Sequence, residues 1–156
     1  MPRPRGGDWL REEIAAWCDA GVNVVVSLLS ADEEHELGLG DEAWLAEEHG
    51  LTFRSFPIDD YGVPISKEAV QRLVAELEDL LLRGQCVGIH CRQGIGRSSL
   101  VAACLLAATG ENVDVSFQRI SNSRGRSVPD TVDQRNWVSD FAQSLSRRPN
   151  DNMNVR

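Results

Sequence analysis

Cys86-Val87-Gly88-Ile89-His90-Cys91-Arg92-Gln93-Gly94-Ile95-Gly96-Arg97-Ser98-Ser99 sets the architecture of this chain. Residues 86–90 are an apolar run of strand length. Residues 91–97 form a glycine-bearing loop, and 98–109 carry apolar residues at helical spacing up to a stop at Gly110. A loop between a buried strand and a helix N-terminus turns its N–H groups inward, where the helix dipole adds partial positive charge. Such a loop is an anion cradle. Cys91 opens it and Arg97 closes it, so a thiol, a ring of amides and a guanidinium fork face one small volume. A phosphate group fits that volume.

The residue types imply a chemistry. A free thiol titrates near ~8.5, and a helix N-terminus with a fixed cation lowers that to roughly 3.5–7.5, so Cys91 is expected as a thiolate able to attack phosphorus. Arg97 can grip two phosphoryl oxygens at once as charge spreads over them, which a lysine does less well. Ser98 is placed to hydrogen-bond the Cys91 sulfur. Arg92, Gln93, Gly94, Ile95, Gly96 and Arg97 line the expected phosphate site, with Gly94 and Gly96 letting backbone amides approach the ligand. His90, the last strand residue, is expected to hold the shape of the loop through local hydrogen bonds.

Working outward, helix 66–83 has Val70, Leu73, Val74, Leu77, Leu80 and Leu81 on one face, a Ser66 cap and a stop at Gly84. It leads back to the Cys86 strand, making a β-α-β crossover. Before it, residues 51–58 read as a strand running into Asp59-Asp60-Tyr61-Gly62-Val63-Pro64. Displacing an alkoxide or phenoxide needs a proton donor, and a carboxylic acid on such a loop supplies one. Ligands gather beyond the carboxyl ends of parallel strands, which brings this loop and the cysteine loop to one place. A further strand is expected over 22–29, where a nearly continuous apolar run points to a parallel sheet covered on both faces.

Asp8 is the expected cap of a first helix ending at Gly21, and Ser30 with Glu33 has the form of a capping box. The acidic run Asp32, Glu33, Glu34, Glu36, Asp41, Glu42, Glu47 and Glu48 reads as a solvated face, with His35 and His49 exposed. A helix is expected over 113–120, then a polar basic loop over 121–126 that is either solvated or brings Arg124 or Arg126 to the rim of the site. A final helix begins at Asp130 or Thr131, and the tail 147–156 is expected to be disordered.

His90-Cys91-x-x-Gly94-x-x-Arg97-Ser98 resembles the signature of the cysteine-dependent protein tyrosine phosphatase superfamily, and the short length is similar to dual-specificity-like members. That resemblance implies a single α/β domain over 1–146, with a central, mostly parallel sheet of four or five strands flanked by helices. It also implies Asp60 as the general acid, with Asp59 at a variable position, and Gln134 as a residue that positions the water of hydrolysis. The implied activity is hydrolysis of phosphotyrosine in proteins through a phosphocysteine, with phosphoserine and phosphothreonine as further substrates and no cofactor or metal. The alternatives are the same chemistry on a small phosphorylated substrate such as an inositol phosphate, and a phosphate-binding module without turnover. A thiol redox protein would account for Cys91 and leave the Arg97-Ser98 pair unexplained.

Composition narrows the setting. The chain has 156 residues, enough for one domain with a single core, and a net charge of −8 that argues against a nucleic-acid or anionic-membrane surface. No apolar stretch has the form of a signal peptide or a membrane span, so a cytoplasmic protein is expected. The four cysteines, Cys18, Cys86, Cys91 and Cys104, lack metal-ligand spacing. Cys86 and Cys91 on one strand would stand about 16 Å apart at roughly 3.3 Å per residue, too far for a disulfide.

Overall fold

The computed structural model describes residues 1–146; the tail expected to be disordered lies outside the described residues. Three parallel strands, β1 (Val24–Ser27), β2 (Thr52–Ser55) and β3 (Val87–His90), form a sheet in the order β2-β1-β3. Val24 stands level with Thr52 and Val87, and Ser27 with Ser55 and His90. All four β1 residues are buried, as a central strand covered on both faces requires. Side chains alternate across it. Val25 joins Leu10, Ile14, Leu29, Leu45 and Leu51 in a smaller core, while Val26 joins Val70, Leu77, Leu100, Val101, Phe117 and Phe141 in a larger one. Full burial of each phenylalanine contributes about 1.5–3 kcal/mol.

The sheet is smaller than the expected four or five strands. Everything from Arg97 to Ser146 that is regular is helical, and the N-terminal segment adds no strand beside β3: it makes one isolated bridge, Pro2 to Cys91, and one bond from the Met1 ammonium to the Ile89 carbonyl at 2.6 Å. The strands are also shorter than the apolar runs that announce them. Beyond Ser27 the backbone pairing persists as single bonds, Phe56 N–H to Ser27 O, Ile58 N–H to Leu28 O and Leu28 N–H to His90 O, while the chains diverge into site loops.

Helices α1 (Leu10–Asp19), α2 (Ala31–Glu36) and α3 (Glu42–Glu48) lie on the smaller-core side of the sequence, before β2. Asp8 does not cap α1. It sits inside a 3-10 turn, Gly7–Trp9, that feeds the helix directly. The capping box of α2 is present: Ser30 Oγ accepts from Glu33 N–H at 3.3 Å and Glu33 Oε2 from Ser30 N–H at 3.1 Å. In α4 (Lys67–Leu82) the Ser66 hydroxyl accepts from Ala69 N–H at 3.1 Å. Then come α5 (Arg97–Ala108), α6 (Val113–Arg124) and α7 (Val132–Ser146).

Helix α6 is longer than expected and absorbs most of the presumed basic loop. Asn112 caps it through bonds to the Asp114 and Val115 N–H groups, and the first backbone stop is Gly125, at φ +65°. Serine and asparagine have weak helix propensity, yet with no breaker before Gly125 the helix continues. Thr131 and Gln134 cap α7 reciprocally, Gln134 N–H to Thr131 Oγ1 at 3.1 Å and Thr131 N–H to Gln134 Oε1 at 3.3 Å.

Candidate active site

The loop from Cys91 to Gly96 hangs between β3 and α5, at the carboxyl end of the sheet. Gly94 is one position where glycine is required: its φ is +70°, and a side chain there would overlap the backbone of Met1 and Pro2. Gly96 serves differently. Its φ is −81°, which any residue adopts, but a Cβ would run into Asp130 Oδ2 and the Gln134 amide. Both close approaches fold the loop tightly around Cys91.

Cys91 is buried, with its Sγ 3.6 Å from Ser98 Oγ. Burial alone would push the thiol up. The Ser98 hydroxyl, the Ser98 and Gly94 N–H groups and the Arg97 charge together outweigh it and hold the thiol below its ordinary value. Cys104, on α5, has no such neighbours, and burial pushes it far up. All four cysteines are free, Cys18 and Cys86 at the surface.

Arg97 is 2% exposed, and both its terminal nitrogens are engaged. Its Nη1 donates to Glu33 Oε2 at 2.7 Å and to the Ile58 carbonyl at 2.9 Å; Nη2 donates to Glu33 Oε1 at 2.9 Å and to Asp60 Oδ1 at 2.8 Å. Glu33 is therefore more than a helix cap. It grips Arg97 with both oxygens and fixes the plane of the fork. Burial pushes its carboxyl up, but the Arg97 bonds, the Ser30 N–H and the Arg97 and Arg92 charges pull it net downward. Arg92 bends back to Glu36 at 2.7 Å and approaches Glu33 at 3.4 Å.

The acidic run is thus not simply a solvated face. Glu33 and Glu42 are buried, and Glu42 Oε1 sits 2.7 Å from His90 Nε2, with the Trp17 ring 5.9 Å from the imidazole. His90 holds the loop from below through this distant carboxylate rather than through local bonds. His49 is half-buried, its Nδ1 2.8 Å from the Leu45 carbonyl, whereas His35 is exposed. A buried arginine calls for a carboxylate, and this run is the densest source of them in the sequence, but the run does not mark which members turn inward.

Of the two candidate acids, Asp60 reaches Arg97, while Asp59 contributes its carbonyl to a turn closed by Gly62 N–H at 2.8 Å. Tyr61 follows at φ +56°, a left-handed position uncommon for a side-chain-bearing residue. Gln134 is buried, donating from Nε2 to the Gly62 carbonyl at 3.1 Å, so α7 braces the acid loop. The cleft over the cysteine is lined by Asp60, Tyr61, Cys91, Arg92, Gln93, Arg97 and Asp130; Ile95 is buried beneath, and neither Arg124 nor Arg126 reaches it. With Asp60 on Arg97 the cleft has room for about 20 Å³, on the scale of one water. In the sequence Asp130 marks only the start of a helix.

Among the described residues no group of three or more His, Cys, Asp or Glu is placed to hold a metal, and no helix is long and apolar enough to cross a membrane. The chain is 32% identical over 104 residues to cyclin-dependent kinase inhibitor 3 of Sus scrofa, covering 65% of this chain and 49% of that protein, so it spans about half the length of that relative. In fold it is similar to kinase associated phosphatase with its catalytic cysteine replaced by serine, at a TM-score of 0.87, 21% identity and coverage of 95% and 86%. It is also similar to PTPMT1 in complex with PI(5)P, at a TM-score of 0.73, 18% identity and coverage of 94% and 89%. The family model for the DSP-PTPase phosphatases of polymorphic toxin systems matches residues 1–111, and the chain belongs to that family of cysteine-dependent dual-specificity phosphatases.

Proposed function

We propose that residues 1–146 hydrolyse phosphotyrosine in proteins, and phosphoserine or phosphothreonine with it, through a phosphocysteine at Cys91. The observation that carries this is the meeting, in one cleft, of a thiol held below its ordinary value with an arginine whose outer N–H is lent to a carboxylate. An arriving phosphoryl oxygen takes the place of Asp60 on Arg97 Nη2. Released from the cation, Asp60 can carry a proton to the leaving oxygen as sulfur forms its bond to phosphorus. Water then hydrolyses the phosphocysteine, and Ser98 stabilises the departing thiolate. Arg92 and Gln93 stand at the cleft, where they meet the groups next to the phosphate.

Protein substrates are favoured by the relatives named as a kinase inhibitor and a kinase associated phosphatase. A small phosphorylated substrate such as an inositol phosphate is the second reading, and the PTPMT1 complex with PI(5)P favours it. The reaction as drawn uses no cofactor or metal, and partners other than the substrate, nucleic acid and membrane included, play no part in it. A nucleophilic thiol needs reducing surroundings, which supports a cytoplasmic setting.

Hydrolysis of an aryl phosphate by wild type, Cys91→Ser and Asp60→Ala tests the reading. Cys91→Ser should abolish turnover while still binding vanadate or phosphate. Asp60→Ala should lose roughly 10²–10⁴-fold, and much less with a leaving group of low pKa. Equal rates for wild type and Cys91→Ser would end the proposal, and absence of turnover in wild type would favour the phosphate-binding module.

A further inference from the structure

The resemblance assigns the water of the second step to Gln134, and the geometry points elsewhere. Gln134 is buried, its Nε2 bonded to the Gly62 carbonyl and its Oε1 to Thr131 N–H, so both ends of the amide are engaged in holding the acid loop to α7. Three residues earlier the chain puts a carboxylate in the cleft. Asp130 lines it beside Cys91 and Arg97, with Oδ2 packed against Gly96, and it makes no hydrogen bond or ion pair among the described residues. An unpaired carboxylate facing a phosphate loop opposes substrate binding through its charge. Its presence calls for a gain at a later stage.

We propose that Asp130 holds the water that hydrolyses the phosphocysteine, acting with Asp60 as one of two carboxylates that grip the two hydrogens of that single water. This rests on the phosphatase reading above. Attack requires a water whose lone pair points at phosphorus on the face from which the leaving group has gone, which directs both hydrogens away from phosphorus. Two carboxylates line that cleft, Asp60 on the 59–64 loop and Asp130 at the entrance to α7. After the first step Asp60 has given up its proton. The water oxygen forms a bond to phosphorus, the phosphorus–sulfur bond breaks with its electron pair returning to Cys91, one proton passes to Asp60, and the other stays on the new phosphate oxygen in contact with Asp130.

A specificity follows. An alcohol has one hydroxyl hydrogen and satisfies one carboxylate, whereas water satisfies both, so the pair favours hydrolysis over phosphoryl transfer to an alcohol. Asp130 is exposed and unpartnered, so replacing it should leave folding intact, which a thermal melt checks.

The experiment follows 4-nitrophenyl phosphate by rapid mixing, with and without ethylene glycol, in wild type, Asp130→Ala and Asp130→Asn. For Asp130→Ala we expect an undiminished burst of nitrophenol, a steady rate lowered about 10- to 100-fold, and a several-fold larger share of phosphoryl delivered to the glycol. Asp130→Asn, whose amide oxygen still accepts a hydrogen bond, should recover much of the rate and of the preference for water. An unchanged share delivered to glycol in Asp130→Ala overturns the proposal whichever step limits turnover. So does a faster reaction at lower KM, which would make Asp130 an electrostatic gate only. Failure of the phosphatase reading is separate: wild type would then release no nitrophenol.

Discussion

Removing Glu33 should damage the protein far more than its place in an acidic surface run suggests. Glu33→Ala deletes two bonds to Arg97, at 2.7 and 2.9 Å, the 3.4 Å approach of Arg92 and the reciprocal bond to Ser30 N–H. The Glu33 and Arg97 side chains are 11% and 2% exposed, so this is a buried pair, and stripping one partner from such a pair costs about 3–5 kcal/mol. Arg97 keeps the Ile58 carbonyl and Asp60, which puts the expected loss near the lower end, about 3 kcal/mol. With a urea slope of about 2 kcal/mol/M, the unfolding midpoint should fall by about 1.5 M. Glu36→Ala is the control. That carboxylate also meets an arginine at 2.7 Å, but it is 63% exposed, and its loss should cost under about 0.5 kcal/mol. Because the Glu33 carboxyl is held below its unfolded value, its contribution is present above about pH 4.3 and fades as pH falls through the lower folded value. The gap between wild type and Glu33→Gln should therefore close in acid. Activity should follow, with kcat/KM lower by about 10²-fold as the fork loses its fixed plane. A Glu33→Ala protein with the wild-type midpoint and full kcat/KM would refute the reasoning.

Two further outcomes are open to direct measurement. Ser98→Ala removes the hydroxyl 3.6 Å from the sulfur, one of the groups that hold the thiol down, so the acid limb of the kcat/KM profile should move to higher pH; a limb that stays in place would take Ser98 out of thiolate stabilisation. Brief iodoacetamide treatment at neutral pH should modify Cys91 and spare Cys104, which burial holds protonated, and mass mapping that finds Cys104 labelled in the folded protein would contradict the environments described here.

What could be read in advance was local. The strand-loop-helix around Cys91, the Ser66 cap and the Ser30-Glu33 box each occupy a few consecutive residues, and periodicity and capping chemistry act at that range. The preference for Asp60 over Asp59 at the cleft came from the motif, and the structure puts Asp60 beside Arg97. The distant pairings were illegible. Glu33 lies 64 positions from Arg97 and Glu42 lies 48 from His90, and nothing in an acidic run marks which two members will turn inward. Strand lengths were overestimated because an apolar run records burial, whereas a ladder ends where the chains diverge. Helix α6 outruns the expected 113–120 because a polar composition resembles a loop, while no breaker stands before Gly125. Nothing local marks Asp130, because its significance lies in contact with Gly96, across a whole helix pair.

The buried Glu33–Arg97 ion pair and the buried Glu42–His90 hydrogen bond have a mechanical meaning. Glu33 and Glu42 belong to the short helices before β2, whereas Arg97 and His90 belong to the crossover strand and the helix that follows it. The two contacts act as rivets through the rim of the sheet, joining α3 to β3 and α2 to α5 at the place where the chemistry is done. A relative shift of ~1–2 Å would carry both contacts beyond hydrogen-bond reach while leaving the apolar cores closed to water. Repacking mutations around Ile14 or Leu45, in the apolar cluster that does not contain Cys91, should accordingly blunt turnover before they melt the protein.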